Sequence, residues 1–330
     1  MRACTIVEGR LAVADRPVPA PGPGEVVVRV HGAGLNRADL LQRAGGYPAP
    51  AGVPADIPGL EFAGVVDAVG ADVSGFEAGA RVFGITGGGA QAEYLAVPAV
   101  QCARVPDGAD LVAMGGVPEA FVTAHDAMTT RAALRAGEWV VIHAVGSGVG
   151  TSALQLAKAI DARVVGTARH AEKLARCRAL GLDTGIEPAR TADGRLDVDA
   201  LAWSIVDATG GGADVTLDLV GGDYFAADIG AAAPLGRILC IGTVAGARAT
   251  VPVVAILAKR LTIIGTVLRA RSIAEKAAAM DGFAREVVPL LADGRVAPVI
   301  ETTIPLAQVN DAYELLASNA TFGKVILDCR

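Results

Sequence analysis

Aromatic side chains are scarce in this sequence, at 4% of 330 residues, with two tryptophans and four tyrosines. Basic residues are outnumbered as well: 29 Lys and Arg stand against 35 Asp and Glu, a formal net charge of −6. A nucleic-acid surface needs a basic face, and one for single strands adds stacking aromatics, so no nucleic-acid partner is expected. A small local anion site is still compatible with this balance. Cysteine offers no framework. Cys4, Cys102, Cys177, Cys240 and Cys329 are scattered and odd in number, which argues against disulfides. None of them forms the close pairs of a structural zinc site, and they read as small buried hydrophobes. The histidines, His31, His125, His143 and His170, lack metal-ligand spacing, and His143 reads as a satisfied core residue. Uninterrupted apolar runs are missing too. The most suspect stretch, VPVVAILAKRLTIIGTVL from Val251, has Lys259 and Arg260 at its centre. A membrane-spanning helix needs ~20 mostly apolar residues without such a pair. The first residues, MRACTIVEGRLAVADRP, hold no apolar core of signal-peptide length. A cytoplasmic protein with no membrane partner is the expectation.

The chain is long enough for two domains, and its texture changes partway along. The first third has short valine-rich runs, ACTIVE, EVVVRV and GVVDAVG, separated by turn-forming clusters such as PVPAPGPG and PAPAGVPADIPG. From about Phe121 onward, strand-like runs alternate with helix-like ones: WVVIHAV then TSALQLAKAI, RVVGTAR then AEKLARCRAL. That alternation predicts an α/β fold with βαβ units, and the continuously apolar strands predict a parallel sheet covered on both faces. There is no internal repeat.

A glycine-dense loop lies at the first of these alternations. Trp139–Val145 reads as a buried strand, and Ala153, Leu156, Ala157 and Ile160 fall at helical spacing after it. Between them stands Gly146-Ser147-Gly148-Val149-Gly150. Strand, tight glycine turn and helix start make the phosphate-binding unit of a dinucleotide fold, where the backbone approaches a pyrophosphate and the helix N-terminus offers free N–H groups. Thr151 occupies the place of the third glycine of the usual spacing, so a tight turn without a ligand is the competing reading. An NAD site carries an acid at the end of the second strand, whereas here the positions are Thr167, Ala168, Arg169 and His170, with Lys173 a turn later. Arg169 and Lys173 favour a 2′-phosphate, and hence NADP(H) over NAD(H). Solvated charges opening a helix would look the same.

Taken together, LNRADLLQRAGGYPAPAG (35–52), PGLEFAGVV (58–66), VPEAFVTAHDAM (117–128), IHAVGSGVGTSALQLAK (142–158), GTVLRARS (265–272) and FGKVIL (322–327) resemble one family. The chain is similar, over its whole length, to the zinc-free quinone oxidoreductases of the medium-chain dehydrogenase/reductase superfamily, the zeta-crystallin-like branch. The resemblance implies a β-rich GroES-like catalytic domain of residues 1–122 and 266–330, with a Rossmann NADP-binding domain of residues 123–265. It further implies an active site in a cleft between the two, NADPH as cofactor, and a homodimer or dimer of dimers built on the edge strand LTIIGTVL. Zinc-dependent relatives have an early Cys and a Gly-His-Glu segment. Those places here read Asn36-Arg37-Ala38-Asp39 and Gly59-Leu60-Glu61, so no metal is expected. Glu61 reads as a structural acid.

The same matching puts Asn36 and Tyr47 beside the nicotinamide, with Asn36 donating a hydrogen bond and the Tyr47 hydroxyl bonding a quinone oxygen or placing the ring. Thr123 is matched to a nicotinamide contact. Gly146, Ser147, Gly148, Val149 and Gly150 take the pyrophosphate, and Gly242 and Thr243 face ribose or nicotinamide. Leu268, Arg269, Phe322, Gly323 and Lys324 close over the cofactor. Pro118 and Glu119 read as a helix start, with Pro in the first turn and the acid at the positive end. One departure stands out: Pro188 follows Glu187 where the family has a Tyr packed by the 2′-phosphate, which weakens the expected NADPH preference. The reaction implied is NADPH-dependent reduction of a quinone. Reduction of an activated C=C bond in an enone or enoyl thioester, with Tyr47 as proton donor, is one rival. An NADPH-binding regulator with little turnover is another.

Overall fold

In a computed structural model all 330 residues are described. The chain divides into two compact units, Met1–Val122 with Leu268–Arg330, and Thr123–Val267. The return to the first unit comes two residues later than the expected 265/266 junction.

The first unit opens with a hairpin of β1 (Arg2–Val7) and β2 (Arg10–Asp15). Glu8 and Gly9, both at positive φ, make the two-residue turn whose twist matches the paired strands. Strands β3 (Glu25–Gly34), β4 (Glu61–Val69), β5 (Arg81–Ile85), β6 (Tyr94–Pro98) and β7 (Cys102–Arg104) follow, with helices α1 (Arg37–Arg43), α2 (Leu111–Met114) and α3 (Pro118–His125) between or after them. The valine runs seen in the sequence become β1, β3 and β4.

The second unit alternates β8 (Trp139–Ile142), α4 (Gly148–Ala159), β9 (Arg163–Thr167), α5 (Ala171–Arg178), β10 (Thr184–Ile186), α6 (Val198–Thr209), β11 (Ala213–Asp218), α7 (Asp223–Ala231), β12 (Ala232–Cys240), α8 (Val253–Lys259) and β13 (Thr262–Gly265). Its six strands are all parallel, in the order β10-β9-β8-β11-β12-β13. Renumbered from β8, that is 3-2-1-4-5-6, the doubly wound order in which dinucleotides bind at the carboxyl ends beside the first strand. Val141, Val165, Leu201 and Ile205 are among the buried side chains that fill one face of the sheet.

The chain then returns to the first unit as α9 (Ile273–Glu286), α10 (Val288–Ala292), β14 (Ile300–Pro305), α11 (Val309–Ala317) and β15 (Lys324–Asp328). The sheet of this unit runs β14-β15-β3-β4-β5-β7, with β6 also paired to β3. Tyr313 of α11 is fully buried in its core among Val26, Val28, Phe62 and Leu327.

Candidate functional site

In the second unit the glycine loop sits at the end of β8. The strand stops at Ile142, three residues before the expected Val145, because the chain turns through Ala144 at φ +50. The left-handed position of the turn is thus an alanine, and no glycine of the loop has positive φ. Helix α4 starts at Gly148, three residues before the apolar run, with Ser147 as N-cap accepting from the Gly150 N–H at 3.1 Å. The Gly148 and Val149 amides find no acceptor within the chain and stand at the positive end of the helix dipole. Gly150 performs the packing role of the third glycine: a Cβ there would lie 2.5 Å from the Ala144 carbonyl oxygen. Thr151 is buried beside it, its hydroxyl donating to the Gly148 carbonyl at 3.1 Å.

The end of β9 opens on a pocket of about 620 Å³ lined by Arg169, His170, Glu187, Pro188, Ala189, Arg190 and Tyr224. Arg169 is where the sequence placed it, but Lys173 does not line the pocket. Arg190 and Tyr224 were missed. Arg190 stands two residues past Pro188, so a search for cations near the missing Tyr would have found it. Tyr224 comes from α7, distant in sequence, and only the fold brings it here. Burial pushes its phenol up, while the Arg190 and Arg169 guanidiniums pull it down. A smaller pocket of about 340 Å³ at the end of β12 is lined by Gly242, Thr243, Cys240, Ile241, Gly265, Thr266 and Val267. Gly242 allows a close approach there, since a Cβ would meet the Leu219 carbonyl at 2.2 Å. Thr123 is partly exposed on α3.

Beneath these loops, His143 and Asp228 form a fully buried pair. His143 Nε2 lies 2.6 Å from Asp228 Oδ1, and its Nδ1 lies 2.9 Å from the Thr167 hydroxyl. Burial alone would lower the imidazole, but the Asp228 carboxylate raises it above its ordinary 6.5. The sequence reading of His143 as a core residue agrees with this placement.

The first unit gathers a second set of polar groups. Lys324 of β15 is buried, with its Nζ 2.5 Å from Glu61 Oε1, 2.7 Å from the Leu35 carbonyl and 2.8 Å from Asn36 Oδ1. All three of its protons are thereby engaged. Asn36 donates its amide to Glu61 Oε1 at 2.9 Å and to the Gly34 carbonyl at 3.2 Å. Within the chain, both amide hydrogens of Asn36 and its carbonyl serve the network. Lys324 likewise would have to release one of these bonds to touch a cofactor. Glu61, on β4, also accepts from the Glu119 N–H at 2.9 Å and is fully buried, a structural acid as expected. Asp39 accepts the Asn36 N–H at 2.8 Å and the Gln91 amide at 3.3 Å. Burial raises its carboxyl to about 6.

Arg269 is buried as well, although the sequence reading placed it over the cofactor. Its guanidinium donates to the Gly87 carbonyl at 2.8 Å, the Tyr47 carbonyl at 2.8 Å and Gln42 Oε1 at 2.6 Å, and it lies 4.7 Å from the Tyr47 ring centroid. It therefore clamps the Tyr47 loop. Tyr47 itself is half-buried, and its hydroxyl is not bonded within the chain. Leu268 and Phe322 are buried, and Gly323 takes φ +82 against the Val299 carbonyl.

The donor set does not fit a zinc ion. No group of three or more His, Cys, Asp or Glu is placed to hold a metal. The space beside Asn36 and Glu61 is filled by the Lys324 ammonium.

A parallel sheet of dinucleotide-binding order and a GroES-like β unit in one chain define an oxidoreductase of the medium-chain dehydrogenase/reductase class. Family models agree, the alcohol dehydrogenase GroES-like domain matching residues 22–107 and the zinc-binding dehydrogenase domain residues 148–285. The chain is 31% identical over 309 residues to a quinone oxidoreductase of Pseudomonas aeruginosa, covering 93% of this chain and 92% of that one. It is 30% identical to a probable quinone oxidoreductase of Schizosaccharomyces pombe, covering 97% and 93%. A mycobacterial protein solved in complex with NADPH superposes with a TM-score of 0.87 at 26% identity, over 99% of both chains. The chain belongs to the quinone oxidoreductases of this superfamily.

Proposed function

We propose that this protein reduces quinones with NADPH and without a metal. The observation that carries the cofactor choice is the pocket at the end of β9, where Arg169 and Arg190 line one opening. Two guanidiniums match a phosphate in charge and geometry, and β9 ends without the carboxylate that would bond a ribose 2′-hydroxyl. Glu187 lines the same pocket and opposes the preference. NADPH would supply the hydride. The chain's own groups would do the rest: Gly148 and Val149 amides on the pyrophosphate, Gly242 and Thr243 toward the ribose, and Tyr47, held by Arg269, at the reacting end. Positioning of this kind is the main protein contribution to hydride transfer. Asn36, Glu61 and Lys324 bond one another without a metal.

Steady-state rates with ortho-quinones, para-quinones and an enone, each with NADPH and NADH and after exhaustive chelation, test the proposal. Replacing Arg169 and Arg190 together by Ala should weaken NADPH by ~10²-fold or more, since a hydrogen bond to a charged group contributes roughly 1.5–3 kcal/mol. NADH should change little. Equal losses for both cofactors overturn the assignment of these residues to the 2′-phosphate. Turnover of the enone alone, favoured by the unbonded Tyr47 hydroxyl, would shift the reading to C=C reduction. Tight NADPH binding without turnover would leave a binding protein.

Self-association through the second unit is part of the same proposal. Strand β13 ends the sheet with its outer edge unpaired, and Val253, Val254 and Leu257 of the neighbouring α8 are exposed. Sedimentation of the wild type against an Ile263→Lys variant would test it. No helix is long and apolar enough to cross a membrane.

A further inference from the structure

Tyr224 stands in the first turn of α7, and the start of that helix is pinned from three sides. Asp218, the last residue of β11, accepts the Val220 and Gly221 N–H groups at 2.8 and 2.7 Å, which fixes the turn into the helix. Gly221 takes φ +72, and a Cβ there would lie 2.7 Å from the Gly242 carbonyl oxygen, so the turn sits hard against the chain just past β12. Asp228, one turn further along α7, bonds His143 just past β8 at 2.6 Å. The His143 ring in turn meets the Tyr224 ring edge to face, with centroids 4.9 Å apart and planes at 74°.

The held side chain has two parts with different surroundings. Tyr224 is 8% exposed, and its ring packs in the core with Val141, Val165 and Ala227. A phenylalanine would fill that space equally well. The hydroxyl bonds no group of the chain. Asp39 Oδ1, Trp139 Nε1 and Asp228 Oδ2 are polar atoms without a partner that are sealed from solvent, and the Tyr224 hydroxyl is not among them. It therefore opens outward, and the opening that Tyr224 lines is the pocket of about 620 Å³ at the end of β9. A tyrosine hydroxyl at a buried site ordinarily finds a partner, so this one is left for whatever fills the pocket.

The other charged groups on that wall are Arg169, Arg190 and Glu187. Arg190 gives one N–H to the Gly194 carbonyl at 2.9 Å and keeps its other donors. Burial holds the phenol above its ordinary 10, so at neutral pH it is an uncharged donor beside two cations. Two guanidiniums and an O–H donor suit a phosphomonoester, which is nearly a dianion at neutral pH and offers three acceptor oxygens. Glu187 offsets part of the cations' field, whereas a short-range neutral donor contributes whatever the net charge of the wall.

We infer that Tyr224 sets the preference for a 2′-phosphorylated adenosine, its hydroxyl donating to the phosphate beside Arg169 and Arg190. The inference rests on the proposed use of NADPH and names a residue that tells it from NADH.

Adenosine 2′,5′-bisphosphate and adenosine 5′-monophosphate differ only in the 2′-phosphate. Calorimetric titration of each into the wild type and Tyr224→Phe needs neither an acceptor nor turnover. The wild type should hold the bisphosphate more tightly. In Tyr224→Phe that margin should shrink about tenfold or more, the factor a hydrogen bond to a charged group contributes. Affinity for the monophosphate should stay, and so should the melting temperature, because the phenyl ring keeps its packing against His143 and the core. NADPH and NADH, titrated by nicotinamide fluorescence, should repeat the split. A Tyr224→Phe protein that keeps the wild-type margin overturns the inference alone, and the hydroxyl then bonds only water. Equal losses for both fragments also overturn it, since they place the hydroxyl on the adenosine the fragments share. A wild type that binds the two fragments alike overturns the NADPH reading and this inference together.

Discussion

Replacing Gly150 by alanine sets two physical effects against each other at the start of α4. Helix propensity favours alanine by roughly 1 kcal/mol. The added Cβ, however, would stand 2.5 Å from the Ala144 carbonyl oxygen and 2.7 Å from both the carbonyl carbon and oxygen of Val145. Real Cβ contacts stop near 3.0 Å, and every atom met is backbone, so no rotamer change relieves the overlap. The first turn of α4 must retreat from the end of β8 by about half an ångström. Overpacking of a filled site costs roughly 1–3 kcal/mol, and rigid backbone places this site at the upper end. The net destabilisation should be about 2 kcal/mol, or roughly 5–8 °C in the melting of a unit this size. The same retreat withdraws the Gly148 and Val149 amides from the pyrophosphate, so NADPH should bind tenfold or more weakly. Calorimetry and NADPH fluorescence titration measure the two halves. Gly211→Ala is the control, since a Cβ there meets nothing within 4 Å. A Gly150→Ala protein that melts and binds like the wild type would refute the packing argument.

Two further outcomes follow from the buried charges. Lys324→Met leaves the Glu61 carboxylate buried without its cation and should destabilise the first unit by about 3–5 kcal/mol in urea unfolding. Adding Glu61→Gln should recover most of that loss, and an unchanged single variant would show that the pair contributes nothing. In the second unit, His143 is raised above 6.5 in the folded state, so its contribution is fully present below that pH. The contribution is lost as pH rises through the folded value, because the unfolded chain releases the proton first. Wild-type stability should therefore decline as pH rises above about 6.5, and Asp228→Asn should flatten that slope. A wild-type slope of zero, or one preserved in Asp228→Asn, would sink the coupling.

The sequence by itself determined the units and the glycine loop between β8 and α4. The valine runs between Pro and Gly clusters, and the later strand–helix alternation, are local signals, because side-chain period and turn chemistry act over a few residues. For the same reason Ser147, Gly148 and Arg169 were legible: their placement follows from one strand, one turn and one helix. Other roles were decided only by tertiary structure. Arg190 and Tyr224 line the pocket with Arg169 although Tyr224 is 55 residues away in sequence, because β9 and α7 meet only in the folded sheet. Asn36, Lys324 and Arg269 look free in sequence, and their hydrogen bonds to groups as much as 289 residues distant show them engaged. The upward push on the Glu119 carboxyl was likewise out of reach, since it comes from burial and from Glu61, 58 residues away. A residue's type fixes what it can donate or accept, but which partners and how much water surround it is settled when distant segments pack.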